Sequence, residues 1–266
     1  MTYTVTSLYK YPIKSASTTK LKNATIDRFG IQGDRRWMLV NENNHFLTQR
    51  QLPQMTLINV SETAQGLLVD FNNSMLEISL ASILDNAIRC KVTVWHDTCE
   101  AYQASNDINE WFSLALKTTC KLVYMPGSTI RLVDPNYTSG NETVSFADGF
   151  PLLLTTEASL TELNRYFPEH VNMIRFRPNL VIDGDTPFEE DHWKKIRVGT
   201  MDFAVVKPCA RCVIPTINPE TANKNPGIFH TLQQYRSKNS EVYFGQNIVA
   251  GGEGVIHVGD QVEVFM

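Results

Sequence analysis

Along the first third of the chain, apolar and polar residues alternate in short runs that turn residues interrupt every few positions. Tyr3 to Tyr11 alternates until Pro12 stops it. Ala24 to Phe29, Trp37 to Val40, His45 to Thr48, Met55 to Val60, Leu67 to Phe71, Met75 to Leu80 and Lys91 to Val94 continue the pattern. A period of two is that of a half-buried strand. Asn41 to Asn44 and Asn72-Asn73 predict hairpin turns, because Asn tolerates the left-handed backbone such turns use. Many short strands at close spacing predict a barrel or compact sheet rather than alternating strand–helix units.

The period changes to a helical one at Ala104 to Leu116, where Ile108, Trp111, Phe112 and Ala115 share a face and Ser105 or Asn106 caps the start. A second helix is predicted from Thr156 or Ser159 through Phe167, and a short one over Thr231 to Ser237. Lys121 to Met125, Pro151 to Leu154, Arg175 to Asp183, Ile196 to Val198, Met201 to Lys207, Asn247 to Ala250 and Gln261 to Phe265 read as strands. Arg131 to Thr143, polar and broken by Pro135 and Gly140, reads as a long mobile loop of the kind that overhangs sites. The expected fold is mostly β with a few helices.

Composition narrows the class. The chain has 266 residues, 42% hydrophobic and 20% charged, which suits one large domain or two modest ones. No apolar run approaches the roughly 20 residues of a membrane-spanning helix. Met1 to Val5 carries no charged, apolar leader pattern, so a cytoplasmic protein without membrane contact is expected. A net charge of −4 disfavours nucleic acid as a partner. Yet Lys14, Arg35, Arg36, Arg50, Arg175, Arg177, Lys207 and Arg211 cluster in a few short segments. Their convergence would make a basic pocket for a small anionic ligand.

Five cysteines, an odd number, argue against a disulfide framework. Cys90 and Cys120 lie beside strand-like runs and read as inert packing thiols. Cys209 and Cys212 differ: they sit in Lys207-Pro208-Cys209-Ala210-Arg211-Cys212, between a strand-like run and a loop holding Pro215 and Pro219. Neighbouring positive charge favours the thiolate, the metal-binding form. No second Cys-x-x-Cys and no His-x-x-x-His completes a zinc site. The two prolines forbid the long helix of a thioredoxin-like motif.

Phe176-Arg177-Pro178-Asn179 places a guanidinium and an amide two residues apart, on one side if the strand stays extended. Tyr11-Pro12-Ile13-Lys14-Ser15 and Gly33-Asp34-Arg35-Arg36-Trp37 each offer anion-binding groups beside a turn. Trp37 and Trp193 read as core anchors. His192, His230 and His257 lack metal-like spacing.

Taken in order with Thr48-Gln49-Arg50, Phe146-Ala147-Asp148-Gly149-Phe150-Pro151 and Phe244-Gly245-Gln246-Asn247, these segments resemble the MOSC-domain proteins that carry an N-terminal MOSC β-barrel partner. That group includes the mitochondrial amidoxime reducing component and its bacterial N-hydroxylaminopurine-detoxifying relatives. The resemblance implies an N-terminal β-barrel domain, residues 1–118, packed on a MOSC β-barrel domain, residues 119–266. It also implies a molybdenum–pyranopterin cofactor in the cleft between them. By motif, Cys212 is the molybdenum ligand and the catalytic residue. Lys14, Ser15, Arg35, Arg177, Asn179 and Arg211 hold the pterin and its phosphate, and Cys209 takes a supporting or packing role. The implied activity is reduction of N-hydroxylated small molecules (hydroxylamines, amidoximes, N-hydroxylated bases) to amines. Asn218 and Phe150 depart from the pattern, standing where Asp and Thr or Ser are frequent. The chain has no Cys-x4-Cys-x2-Cys spacing, so no iron–sulfur cluster is expected in it. Electrons are then expected from a separate donor protein, of reductase, ferredoxin or flavoprotein type. The competing reading is a molybdenum cofactor carrier or sulfur-transfer protein that uses the same cysteine. A metal-free dithiol protein would leave the basic segments unexplained.

Overall fold

The alternation of Tyr3–Lys10 carries straight into the fold: Val5 and Leu8 turn inward, while Thr4, Thr6 and Tyr9 are only partly covered. In the computed structural model, which describes residues 3–138 and 140–266, this strand pairs antiparallel with Leu180–Ile182 on one side and Gln261–Phe265 on the other. Met1 and Thr2, at the start of the segment inspected for a leader, and Ser139, in the 131–143 segment, lie outside the described residues. The chain's first strand therefore belongs to a barrel made otherwise from its second half. The order runs Leu152–Thr156, Leu180–Ile182, Tyr3–Lys10, Gln261–Phe265, Lys195–Val198, Met201–Ala210 and Glu241–Ala250, and the last closes on the first. This closed seven-stranded barrel is filled by Val5, Leu8, Leu154, Ile196, Phe203, Ile248 and Val262.

Closure depends on one glycine. Gly245 has φ 78°, and a Cβ there would stand 2.6 Å from the Leu154 carbonyl oxygen. The two closing strands can approach only because that atom is missing. We expect Gly245→Ala to lower unfolding stability by about 2–4 kcal/mol in a denaturant titration, through clash and left-handed backbone together.

In the first half, Trp37–Val40, Lys121–Tyr124, Asp97–Gln103 and Ile88–Val94 form a four-stranded sheet, and Asn59–Glu62, Gly66–Phe71 and Ser74–Ser79 a meander. Leu39, Met55, Val69, Ile78, Phe112 and Leu122 fill one core between them. Helix Asn106–Leu116 contributes Ile108, Phe112 and Leu116 to that core and starts at Ser105, as its spacing predicts. Asn72 and Asn73 both take positive φ in the meander's hairpin. Trp37 and Trp193 are core anchors, each 4% exposed. No helix among the described residues is long and apolar enough to cross a membrane.

Several expectations are refined, and His45 to Thr48 holds only isolated bridges at His45 and Phe46 in place of a strand. Met55 to Val60 is not a strand: Pro53, with its fixed φ, opens a 3-10 turn over Pro53–Leu57, and the strand begins at Asn59. Arg175 to Asp183 is not continuous either. A 3-10 turn, Met173–Phe176, comes first, Arg177 follows at φ 56°, and only Leu180–Ile182 is strand. Pro178 bars its predecessor from the right-handed helical region, which ends the turn at Phe176. The strand from Met201 runs on to Ala210, through Pro208, with register shifts on either side. At such a bulge a missing N–H costs no ladder bond. The described part of 131–143 is a loop that borders a cleft, as expected, and its ends are tied together: Val133 N donates to the Glu142 carbonyl and Val144 N to that of Arg131. Finally, the helix expected from Thr156 or Ser159 through Phe167 spans Glu157–Asn164, and the one expected over Thr231 to Ser237 spans Pro226–Arg236, started by the Asn225 side chain.

Candidate active site

Six of the eight basic residues singled out in the sequence converge on one cleft of about 740 Å³: Lys14, Arg35, Arg50, Arg177, Lys207 and Arg211. Arg36 and Arg175 do not. Arg36 donates to the Met125 carbonyl and lies over the Phe29 ring, and Arg175 pairs with Glu169. Ser15, Asn179, Cys209 and Cys212 also line the cleft, together with Asp148 and a basic residue not anticipated, Arg131. The bulged end of Met201–Ala210 delivers Lys207 and Cys209, and Arg211 and Cys212 follow where the chain leaves the sheet.

Backbone strain marks three of these positions. Ser15, Arg35 and Arg177 all have positive φ, at 69°, 48° and 56°. Non-glycine residues hold such conformations only where their surroundings over-determine them, as at functional sites.

Tyr11 is the hub. Its ring, fully buried, has the Arg35 guanidinium 4.4 Å and the Arg177 guanidinium 4.1 Å from its centroid. Its hydroxyl donates to the Pro178 carbonyl, and burial pushes its pKa up to about 12, so it remains a neutral phenol. Asp34, also buried, accepts from Tyr11 N at 2.8 Å and from Arg35 at 2.5 Å. Burial pulls the Arg35 pKa down, but the Asp34 charge outweighs it and holds the guanidinium cationic. Asn179 does not present a free amide. Its Oδ1 accepts from Arg35 at 3.0 Å and from Leu153 N at 3.2 Å, and its Nδ2 donates to the Tyr9 carbonyl.

Lys14 donates to the Phe146 carbonyl at 2.7 Å and to Asp148 Oδ1. Burial lowers its pKa against the pull of Asp148. Desolvation works against ionising Asp148 too, yet Lys14, helped by Trp95 and Arg35, holds that carboxyl below the usual range. Arg131 fixes the segment from behind, donating to the carbonyls of Ser145, Ala147 and Asp148 and to Asp97.

These pairings leave a residue of unmatched charge. Lys14, Arg35 and Arg131 have carboxylate partners, whereas Arg50, Arg177, Lys207 and Arg211 have none among the described residues. Arg177 donates to the Ala16 carbonyl, but its Nη2 is buried and has no partner among the described residues. Arg211 donates to the Phe176 carbonyl and to Cys209 Sγ at 3.1 Å, and its Nε is buried and unpartnered too. Cys212 is half-buried, and its Sγ makes no hydrogen bond among the described residues. No three His, Cys, Asp or Glu side chains among them gather as a metal-ligand set.

Tyr11, Asp34 and Arg131 were not singled out as site residues. The first two stand inside motifs already quoted, but their partners lie far along the chain and leave no local signal. Arg131 had only its position at the edge of a polar stretch.

The class that fold and cleft define is a β-barrel protein with a thiol-bearing, cationic site between its halves. Residues 2–119 match the MOSC N-terminal beta barrel domain and residues 141–263 the MOSC domain. The chain is 30% identical over 282 residues to mitochondrial amidoxime reducing component 2 of Homo sapiens, covering 97% of this chain and 82% of that one. It is 29% identical over 278 residues to mitochondrial amidoxime-reducing component 1 of Danio rerio, covering 97% and 83%. It is also 29% identical over 260 residues to the molybdenum cofactor sulfurase of Oryza sativa subsp. japonica, covering 90% of this chain and 31% of the sulfurase. The chain belongs to the family of MOSC-domain proteins with an N-terminal MOSC β-barrel.

Proposed function

We propose that the cleft holds a molybdenum–pyranopterin cofactor and that the protein reduces N-hydroxylated compounds to amines. The observation that carries this reading is the pair of guanidinium nitrogens on Arg177 and Arg211, buried and unpartnered among the described residues, in the same cleft as the Cys212 thiol. Buried donors are rarely left unsatisfied without a ligand to meet them. The donor set fits this group: guanidinium forks match phosphate, and a soft thiolate suits molybdenum. Cys212 would bind the metal. Lys14, Ser15, Arg35, Arg177 and Arg211 would hold the pterin and phosphate, and Asn179 would act by fixing Arg35.

When bound, the group supplies the two-electron redox chemistry. The chain binds, orients and shields. The net reaction takes R–NHOH, two electrons and two protons to R–NH2 and water, and in this reading a separate electron-donor protein supplies the electrons. Lys14, Ser15 and Arg35 come from the first half and Cys212 from the second. In this reading the two parts, residues 1–118 and 119–266, act only together, with Tyr3–Lys10 lent to the barrel of the second and Lys121–Tyr124 to the sheet of the first.

Loaded protein should reduce hydroxylamine and benzamidoxime with a chemically reduced viologen as donor, and should not do so with a nicotinamide cofactor alone. Turnover on the nicotinamide alone, or none with the viologen, would contradict the proposal. The likeness to the rice sulfurase favours a second reading, in which a cleft cysteine carries sulfane sulfur. Mass spectrometry would then find a persulfide on Cys209 or Cys212, with no amidoxime turnover.

A further inference from the structure

Two cations of the cleft are left without a role. Arg177 and Arg211 carry the buried, orphaned nitrogens that a resident group would meet, and Lys14, Arg35 and Arg131 have carboxylate partners. Arg50 and Lys207 also line the cleft, and among the described residues they have neither a carboxylate partner nor a buried orphan nitrogen. Both side chains are half-buried, with terminal nitrogens that water still reaches. That suits a ligand that arrives and leaves. The acids of the lining do not cancel these charges. Asp97 pairs with Arg131 and Asp148 with Lys14, which leaves Asp134 as the one lining carboxylate without a cation among the described residues. Its Oδ1 accepts from the backbone and side chain of Asn136 instead.

Of the two cations, Arg50 is held in place. Its Nε donates to Thr48 Oγ1 at 3.4 Å, its one hydrogen bond among the described residues, so both terminal nitrogens are free. The guanidinium lies over the Trp95 ring, 4.5 Å from the centroid. That indole packs on Phe46 at 5.3 Å and donates from its N–H to Asp148 Oδ1 at 3.2 Å. Trp95 stands in the two-residue turn between Ile88–Val94 and Asp97–Gln103 with φ 57°, where a bulky residue is strained. Such strain persists only where the surroundings over-determine it. Its product here is a guanidinium bedded on an aromatic face, with its edge donors unused. An arginine fixed in this way loses little further freedom when its fork closes on a ligand.

We infer that Arg50 anchors a carboxylate on the substrate, so that the site prefers acidic N-hydroxylated compounds over neutral ones. One guanidinium fork meets one planar carboxylate in two parallel bonds. Lys207, whose ammonium lies 4.5 Å from the Tyr137 ring centroid, adds a second unpaired charge that draws anions into the cleft. The reaction such a compound undergoes rests on the reductase reading above; the preference for a carboxylate does not.

The test uses wild type, Arg50→Met and Arg50→Lys purified from a host that makes the cofactor. Calorimetric titration with benzoate and with benzamide, neither of which has an N–O bond to reduce, measures the preference directly. Wild type should bind benzoate at least about tenfold more tightly than benzamide, the scale of a charge-assisted pair. Arg50→Met should remove that difference, and Arg50→Lys, a charge without the fork, should keep about threefold of it. In parallel, the kcat/KM ratio of meta- or para-carboxybenzamidoxime to benzamidoxime should fall at least about tenfold in Arg50→Met, through KM. Molybdenum content should be equal in the three proteins. Equal affinity for benzoate and benzamide in wild type, or benzoate affinity unchanged in Arg50→Met, overturns this inference, and turnover of benzamidoxime then leaves the reductase reading standing. Molybdenum lost from Arg50→Met would assign the residue to the cofactor and overturn the inference too. Benzoate binding that depends on Arg50, without turnover of any amidoxime, supports this inference and overturns the reductase reading.

Discussion

Cys212→Ser abolishes reductase activity, to about a thousandth of wild type or less, while Cys209→Ser retains at least about a tenth; these are the expected results of assaying the two side by side. Losing a supporting partner of a metal site costs roughly 10–100-fold, so a larger loss marks a direct ligand. The two thiols share the cleft but differ in commitment. Cys209 Sγ already accepts from Arg211 at 3.1 Å, whereas Cys212 Sγ has no hydrogen bond among the described residues. A serine hydroxyl is a hard, weakly acidic replacement for a soft thiolate. Since Cys212 is half-buried and unbonded, its replacement should leave the melting temperature of the cofactor-free protein near that of wild type. Equal loss from both substitutions would point to a dithiol mechanism instead.

Arg177→Met is expected to separate stability from cofactor retention. Burial lowers the Arg177 pKa to about 10, with the Tyr11 phenol pulling the other way and Arg35 adding to the fall. The group is still charged at pH 7, and the charge is a cost to the empty fold. Its folded pKa lies below its unfolded one, so the unfolded chain binds more protons, and stability rises as pH climbs through about 10. An anion that pairs with the guanidinium offsets the same cost at neutral pH. Methionine keeps bulk against Tyr11 but removes the charge and the orphaned Nη2. The cofactor-free variant should therefore melt no lower than wild type, while molybdenum occupancy falls at least about tenfold, the scale of lost charge-assisted bonds. Full occupancy in Arg177→Met would remove this residue from the binding set.

Much of this fold is legible where local pattern decides it. The Asn72-Asn73 hairpin, the helix over Asn106–Leu116 and the core tryptophans Trp37 and Trp193 follow from period, turn chemistry and burial alone. What escaped depends on distant partners. Asp97–Gln103 alternates weakly, burying only Cys99 and Ala101, and it is a strand through its pairing with Ile88–Val94 on one side and Lys121–Tyr124 on the other. Tyr3–Lys10 is plain as a strand, but nothing local says that it pairs with Leu180–Ile182 in the second half's barrel. The run expected over Met75 to Leu80 ends at Ser79, whose side chain caps a short helix, Leu80–Asp85, that the pattern does not predict. The site shows the same division. Sequence spacing marked Lys14, Arg35, Arg177 and Arg211 as basic groups near turns, and the cleft brings them together. It placed Arg177 and Asn179 on one extended face. The left-handed residue before Pro178 instead sends the guanidinium to Tyr11 and leaves the amide holding Arg35.

The central claim is that a molybdenum group sits on the Cys212 thiolate in this cleft. The most direct measurement is elemental analysis with metal-edge X-ray absorption, on wild type and Cys212→Ser purified from a host that makes the cofactor. The account predicts near-stoichiometric molybdenum with protein sulfur in its coordination shell in the wild type, and loss of that sulfur in the variant. Wild-type protein free of molybdenum, or carrying zinc in its place, would contradict it.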